Sequence, residues 1–166
     1  MREPIYNQTI IPRDKWRYGL RSSSATGCGW IATYNALVSM GYDVNVEALI
    51  RAYERQFPLL HGNIGTFSFA PAMLLKSWGY PTRTSANLHS FDSLCRESDA
   101  AILFYWWRSG LRLGRHFVAV TYRDGQFYGY NTYYNSLAPD PYGPSLQAFL
   151  KPQRFFAPFL TTIQKK

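Results

Sequence analysis

Cysteine is scarce in this chain: 166 residues hold two, Cys28 and Cys95, beside three histidines. Two thiols cannot make the disulfide framework of a small secreted scaffold, and their separation fits no zinc-ligand spacing, so both are expected to be reduced. Long apolar runs are missing too. Nowhere do apolar residues reach the span of a bilayer, and the opening Met1-Arg2-Glu3-Pro4-Ile5-Tyr6-Asn7-Gln8 lacks a signal-peptide core. A cytoplasmic location without membrane association is the expectation. Repeats and low-complexity tracts are absent. Acidic residues are few, with 10 Asp and Glu against 18 Lys and Arg, for a net charge of +8. That balance favours encounters with anionic partners or acidic peptides, and it serves solubility equally well. The basic residues are scattered apart from 108–115, so a dedicated nucleic-acid face is not expected.

Aromatic residues are plentiful at 17%, within a hydrophobic share of 46%. A chain of this length buries roughly two-thirds of the surface it exposes when unfolded, so one domain with its own core is expected. Residues before Cys28 read as irregular, broken by Pro4, Pro12 and Ser22-Ser23-Ser24. A helix starts at Cys28, with Thr26 as its N-cap, a face of Trp30, Ile31, Tyr34, Leu37 and Val38, and Gly41 as the stop. A second helix covers 46–56, capped by Asn45, with Glu47 early, Arg55 late and an inner stripe of Leu49, Ile50 and Tyr53. A glycine-containing loop at 60–66 lacks the Lys-Ser/Thr ending of a phosphate-binding loop. A third helix spans 69–78, an extended piece 81–85, and a small helix opened by Ser90 carries Cys95.

The second half changes character. The apolar run 100–107 has the pattern of a strand buried on both faces, and 108–114 reads as a basic connection. Strands at 115–123 and 126–132 flank Asp124-Gly125, a strong hairpin signal. Pro139, Pro141 and Pro144 mark a long loop, Ser145 caps a short helix, and 154–163 is the last strand. Helices early and strands late predict an α+β fold with an antiparallel sheet.

Three features converge on nucleophilic chemistry. Gly27 and Gly29 leave the surroundings of Cys28 open to a substrate, and a helix start lowers a thiol pKa. A two-residue turn at Asp124-Gly125 pairs Arg123 with Gln126, which extrapolates to Val118 opposite Asn131 and puts His116 and Asn131 on one face as diagonal neighbours. An imidazole oriented by a side-chain amide, facing a helix-borne thiol, is what attack on an acyl carbon needs. Each residue alone has a plain structural role open to it, and the case rests on the three occurring in the order Cys, His, Asn. His61 and His89 are weaker bases, with no partner placed by register.

The residues Tyr6-Asn7-Gln8 with Arg13-Asp14-Lys15-Trp16, Gly27-Cys28-Gly29 with Ala32, and Arg115-His116-Phe117-Val118-Ala119-Val120 followed by Gly129-Tyr130-Asn131 resemble the papain-like cysteine peptidases. The resemblance is to the double-glycine-type, bacteriocin-leader-processing group and its stand-alone bacterial relatives. It implies a single papain-like domain over 1–166, amino-terminal helices packed on a carboxyl-terminal antiparallel sheet. It also implies Cys28 as nucleophile, His116 as base, Asn131 as orienter and Gln8 as oxyanion donor, with Asn7 or Ser22 as alternative donors. The sequence departs from the group's pattern at Trp30, where proline is frequent, and at Asn131, where aspartate is frequent. The implied activity is thiol-dependent hydrolysis of an amide bond in a peptide or protein, with no metal or organic cofactor. Two rivals are acyl transfer by the same residues and a peptide-binding module without turnover. A further reading takes Trp106-Trp107 with Arg108, Arg112 and Arg115 as a single-stranded nucleic-acid surface.

Overall fold

The computed structural model describes residues 3–56, 66–151 and 156–166. The loop at 60–65, including His61, and the start of the last strand at 154–155 lie outside the described residues. The amino-terminal stretch is more regular than its serines and prolines suggest. A 3-10 turn Gln8–Ile10 is followed by a hairpin of β1 (Arg17–Tyr18) and β2 (Arg21–Ser22) and by one turn of helix, α1 (Ser23–Thr26). Thr26 therefore closes α1 and does not cap the next helix; that position is held by Gly27.

Helix α2 (Cys28–Ser39) is buried from Gly29 to Val38 all round, not along one stripe. Two polar residues inside it make this tolerable, because each has partners. Asn35 Oδ1 accepts from Ile5 N at 2.7 Å and its Nδ2 donates to Ile5 O at 2.8 Å, strapping the amino-terminal segment across the helix. Thr33 Oγ1 donates to Gly29 O at 3.3 Å and meets the Tyr53 hydroxyl at 2.5 Å. Gly41 ends the helix in a left-handed conformation at φ 91°, and Tyr42 N donates to Leu37 O. Helix α3 (Val46–Gln56) has the expected bounds, with Ala48 N bonded to Asn45 Oδ1 at 2.9 Å. Helix α4 (Ala70–Ser77) tolerates Pro71 in its first turn, where an N–H has no partner to lose.

Six antiparallel strands form the sheet: β3 (Thr82–Ser85), β4 (Ala100–Ser109), β5 (Arg112–Arg123), β6 (Gln126–Tyr130), β7 (Asp140–Gly143) and β8 (Phe156–Ile163), in the order β3-β8-β4-β5-β6-β7. The stretch 108–114 is not a loop. Strands β4 and β5 continue to the pair Ser109–Arg112, turning at Gly110-Leu111. Gly114 belongs to that ladder because the Trp107 ring lies on it, and a Cβ there would fall 2.3 Å from Trp107 Cζ2. Likewise Pro141 sits in β7, an edge strand, where a missing N–H breaks no central ladder.

Both faces of β4 and β5 are covered, as the continuous apolar run predicts. Ile102, Phe104, Phe117 and Ala119 join the core under α2, α3 and α4. Ala101, Leu103, Tyr105, Val118 and Val120 pack on the other face with residues of α5 (Phe91–Arg96) and α6 (Leu146–Leu150). The short helices are tied together by Asp92, whose carboxylate accepts from Ser145 Oγ at 2.6 Å and from Leu146 N at 2.8 Å. Among the described residues no helix is long and apolar enough to cross a membrane.

Candidate active site

The thiol of Cys28 is the first side chain of α2, and it is half-buried against β5. Main-chain N–H groups of Phe117, Gly29 and Cys28 itself lie near enough to its sulfur to favour the charged form, and the Arg115 guanidinium acts on it through charge. All four favour the thiolate, yet burial outweighs them and pushes the thiol above its ordinary range. The expectation of a depressed thiol pKa is thereby corrected. A helix start helps only where the sulfur stays solvated enough for the charge to be tolerated. The flanking glycines are also not clear space. A Cβ on Gly27 would lie 2.5 Å from Ser23 O and 2.7 Å from Trp30 Nε1, and one on Gly29 would lie 2.8 Å from Thr66 Oγ1. Both glycines admit close internal packing rather than an approaching substrate.

The hairpin register holds from Arg123–Gln126 to Ala119–Tyr130 and stops there. Asn131 then turns left-handed at φ 65°, a conformation asparagine tolerates better than most residues. The departure frees the β6 side of β5 just where Phe117 presents its N–H to the thiol. It also changes how His116 is held. His116 Nε2 lies 2.6 Å from the main-chain carbonyl of Asn131, not from its side-chain amide. A carbonyl can only accept, so the proton of the neutral ring sits on Nε2 and Nδ1 keeps a lone pair. Burial holds His116 below the usual imidazole pKa, against the opposing pull of that carbonyl. Both shifts favour the neutral form, of the imidazole and of the thiol.

The Asn131 side chain instead clamps Gln8 at both ends. Its Oδ1 accepts from Gln8 N at 2.8 Å and its Nδ2 donates to Gln8 Oε1 at 2.9 Å. Gln8 in turn donates through Nε2 to Ser24 O at 3.1 Å, leaving its second amide hydrogen for another acceptor. The alternative donors are otherwise engaged: Asn7 Nδ2 bonds Tyr134 O, and Ser22 shares a hydrogen bond with Ser24 at 2.9 Å. His89 is exposed in the 3-10 turn Leu88–Ser90.

Sequence reasoning missed the groups around this cluster. Tyr105 faces the His116 ring edge-on at 6.1 Å, and Tyr18, Tyr53, Tyr105 and Arg115 all lie close enough to Cys28 for charge interaction. Strand alternation was the available signal. Arg115 has the parity of Phe117 and so faces α2, whereas His116, paired with Tyr105, has the parity of Val118 and Val120 on the other face of the sheet. The residues suggested for a nucleic-acid surface are largely occupied: Trp106 stacks on Phe156 and lies under Arg115, and Trp107 covers Gly114.

No protein-family model matches this sequence, and no curated protein matches it. Among solved structures it is similar to the peptidase domain of Streptococcus ComA, described as a bi-functional ABC transporter involved in a quorum sensing pathway. The two share 14% identity and superpose with a TM-score of 0.52, covering 85% of this chain and 93% of that one. The fold is therefore that of a papain-like peptidase domain, a mixed arrangement of helices and antiparallel sheet.

Proposed function

We propose that this protein is a thiol-dependent hydrolase of peptide bonds, working through Cys28, His116, Asn131 and Gln8. The observation that carries the reading is the joint hold of Asn131, whose carbonyl lies 2.6 Å from His116 Nε2 and whose side chain bonds Gln8 at 2.8 and 2.9 Å, while Gln8 reaches Ser24 O in the turn just before Cys28. In the proposed sequence Cys28 Sγ attacks the carbonyl carbon while His116 Nδ1 takes the thiol proton, so a neutral pair becomes charged only as the bond forms. The developing oxyanion is met by the Cys28 N–H and by the free amide hydrogen of Gln8. The imidazolium then protonates the leaving amine, the C–N bond breaks, and water hydrolyses the thioester with His116 again as base. Asn131 serves twice in this scheme: its carbonyl holds Nε2–H, and its side chain locks Gln8.

Intact-mass measurement during turnover of a peptide library tests the reading. An acyl adduct on wild-type protein, absent from Cys28→Ser, is the expected result. Adding amines separates hydrolysis from acyl transfer by the product formed. Peptides that bind and emerge uncut, with no adduct, would leave a binding module.

A further inference from the structure

Beside α1 lies an open cavity of about 570 Å³, lined by Thr9, Arg13, Arg21, Ser22, Ser24 and Ala25. Arg13 and Arg21 are exposed there, and among the described residues neither has a carboxylate partner. The remaining polar lining is hydroxyl: Ser22 and Ser24 share a hydrogen bond at 2.9 Å, and Thr9 Oγ1 donates to Asn7 Oδ1 at 2.7 Å. The lining holds two cations and no acidic group.

The cavity is attached to the candidate site on two sides. Thr9 follows Gln8 directly, and Ser24 O accepts the Gln8 amide at 3.1 Å. Ala25 precedes Cys28 by three residues, so chain geometry keeps their Cα atoms within about 11 Å. An extended peptide advances about 3.3 Å per residue. A substrate whose cleaved bond sits at Cys28 can therefore place a side chain in this cavity from up to about three positions away.

We propose that the cavity is a subsite for a carboxylate side chain, so that the enzyme selects peptides carrying Asp or Glu within about three residues of the cleaved bond. The proposal rests on the peptide-hydrolase reading and names its substrate class. Guanidinium groups match carboxylates in planar, paired hydrogen bonds, and the Ser22–Ser24 pair, which uses one of its two hydroxyl hydrogens internally, keeps the other for a carboxylate to accept. The net charge of +8 would steer such peptides inward over a longer range.

Binding to Cys28→Ser protein tests this without turnover. The probes are fluorescein-labelled hexapeptide pools with Glu or Gln at each position in turn, all with amidated carboxyl ends so that only a side chain supplies the charge. Glu pools should bind about tenfold tighter than Gln pools at low salt, with the advantage shrinking in high salt. It should vanish when Arg13→Gln and Arg21→Gln are combined. A control protein carrying Arg51→Gln and Lys76→Gln loses the same formal charge away from the cavity and should keep the preference. Equal binding of both pools, or an equal loss in the control, would overturn the subsite. Wild-type protein mixed with the same peptides reports separately on catalysis: a Glu preference without cleavage would remove the hydrolase and leave the carboxylate site standing.

Discussion

The two cysteines sit on opposite faces of one sheet, and their surroundings diverge more than their sequence contexts do. Cys95 lies inside α5 among apolar side chains, where burial and the nearby Asp92 carboxylate push its thiol up to about 12. Among the described residues no group is found that pulls it back down. Cys28 is also pushed up by burial, but three main-chain N–H groups and Arg115 pull against that push. Burial acts on both thiols, and the difference between them is the set of N–H groups and the cation that surround Cys28 on the α2 face of β5.

The sharpest way to break this comparison is to remove each sulfur. Cys28→Ala should lower peptide turnover by about 10⁴-fold or more, the scale seen when a nucleophile is lost. Cys95→Ser should leave turnover unchanged and cost about 1–3 kcal/mol of stability in denaturant unfolding, because a hydroxyl replaces a thiol in an apolar cluster. Equal losses of activity would erase the distinction between the faces.

Next in size, His116→Ala should reduce kcat by about 10²- to 10⁴-fold with the fold intact by circular dichroism, the usual range for a lost general base. Asn131 offers a finer cut. Asn131→Gly keeps the left-handed backbone that aims its carbonyl at His116, whereas Asn131→Ala adds about 1–2 kcal/mol of backbone strain. Both lose the clamp on Gln8, so the alanine variant should be the less stable and the slower of the two. Identical behaviour would place the whole role in the side chain.

The pH response separates the cysteines again. Turnover should rise as His116 loses its proton, below the usual imidazole value, and Cys28 should become reactive to a simple alkylating agent only at alkaline pH, still ahead of Cys95. Stability follows the same groups. The contribution of His116 is complete above the ordinary imidazole value and is lost as pH falls through its depressed folded value. That of Cys28 is complete below the ordinary thiol value and is lost as pH rises through its elevated folded value. The smallest effect is expected from Arg115→Gln, which should move the Cys28 alkylation profile to higher pH and leave that of Cys95 in place.

Much of the framework was legible because local rules and tertiary demands agreed. Helix α3 has an Asn cap, oppositely charged ends and a single apolar stripe, and it begins and ends where those signals place it. The Asp124-Gly125 turn pairs Arg123 with Gln126 as its type requires. The errors arose where a local rule was carried past its range. Extending the hairpin count to Asn131 assumed a ladder that ends one residue earlier, so the amide expected on His116 is found on Gln8. Reading 108–114 as a loop overlooked that a glycine can serve a strand when a tryptophan ring covers it.

What the chain determined by itself is what neighbours along it can decide: a thiol at a helix start, a hairpin register over five pairs, an apolar strand meant for burial on both faces. Folding in three dimensions settled the chemistry of the pieces. The ionisation of Cys28 and His116, the choice of a carbonyl over an amide, and the joining of Gln8 to Asn131 across 123 positions depend on desolvation and on contacts between distant segments. Neither is encoded in any short stretch of residues, because both are properties of the space that the packed elements enclose.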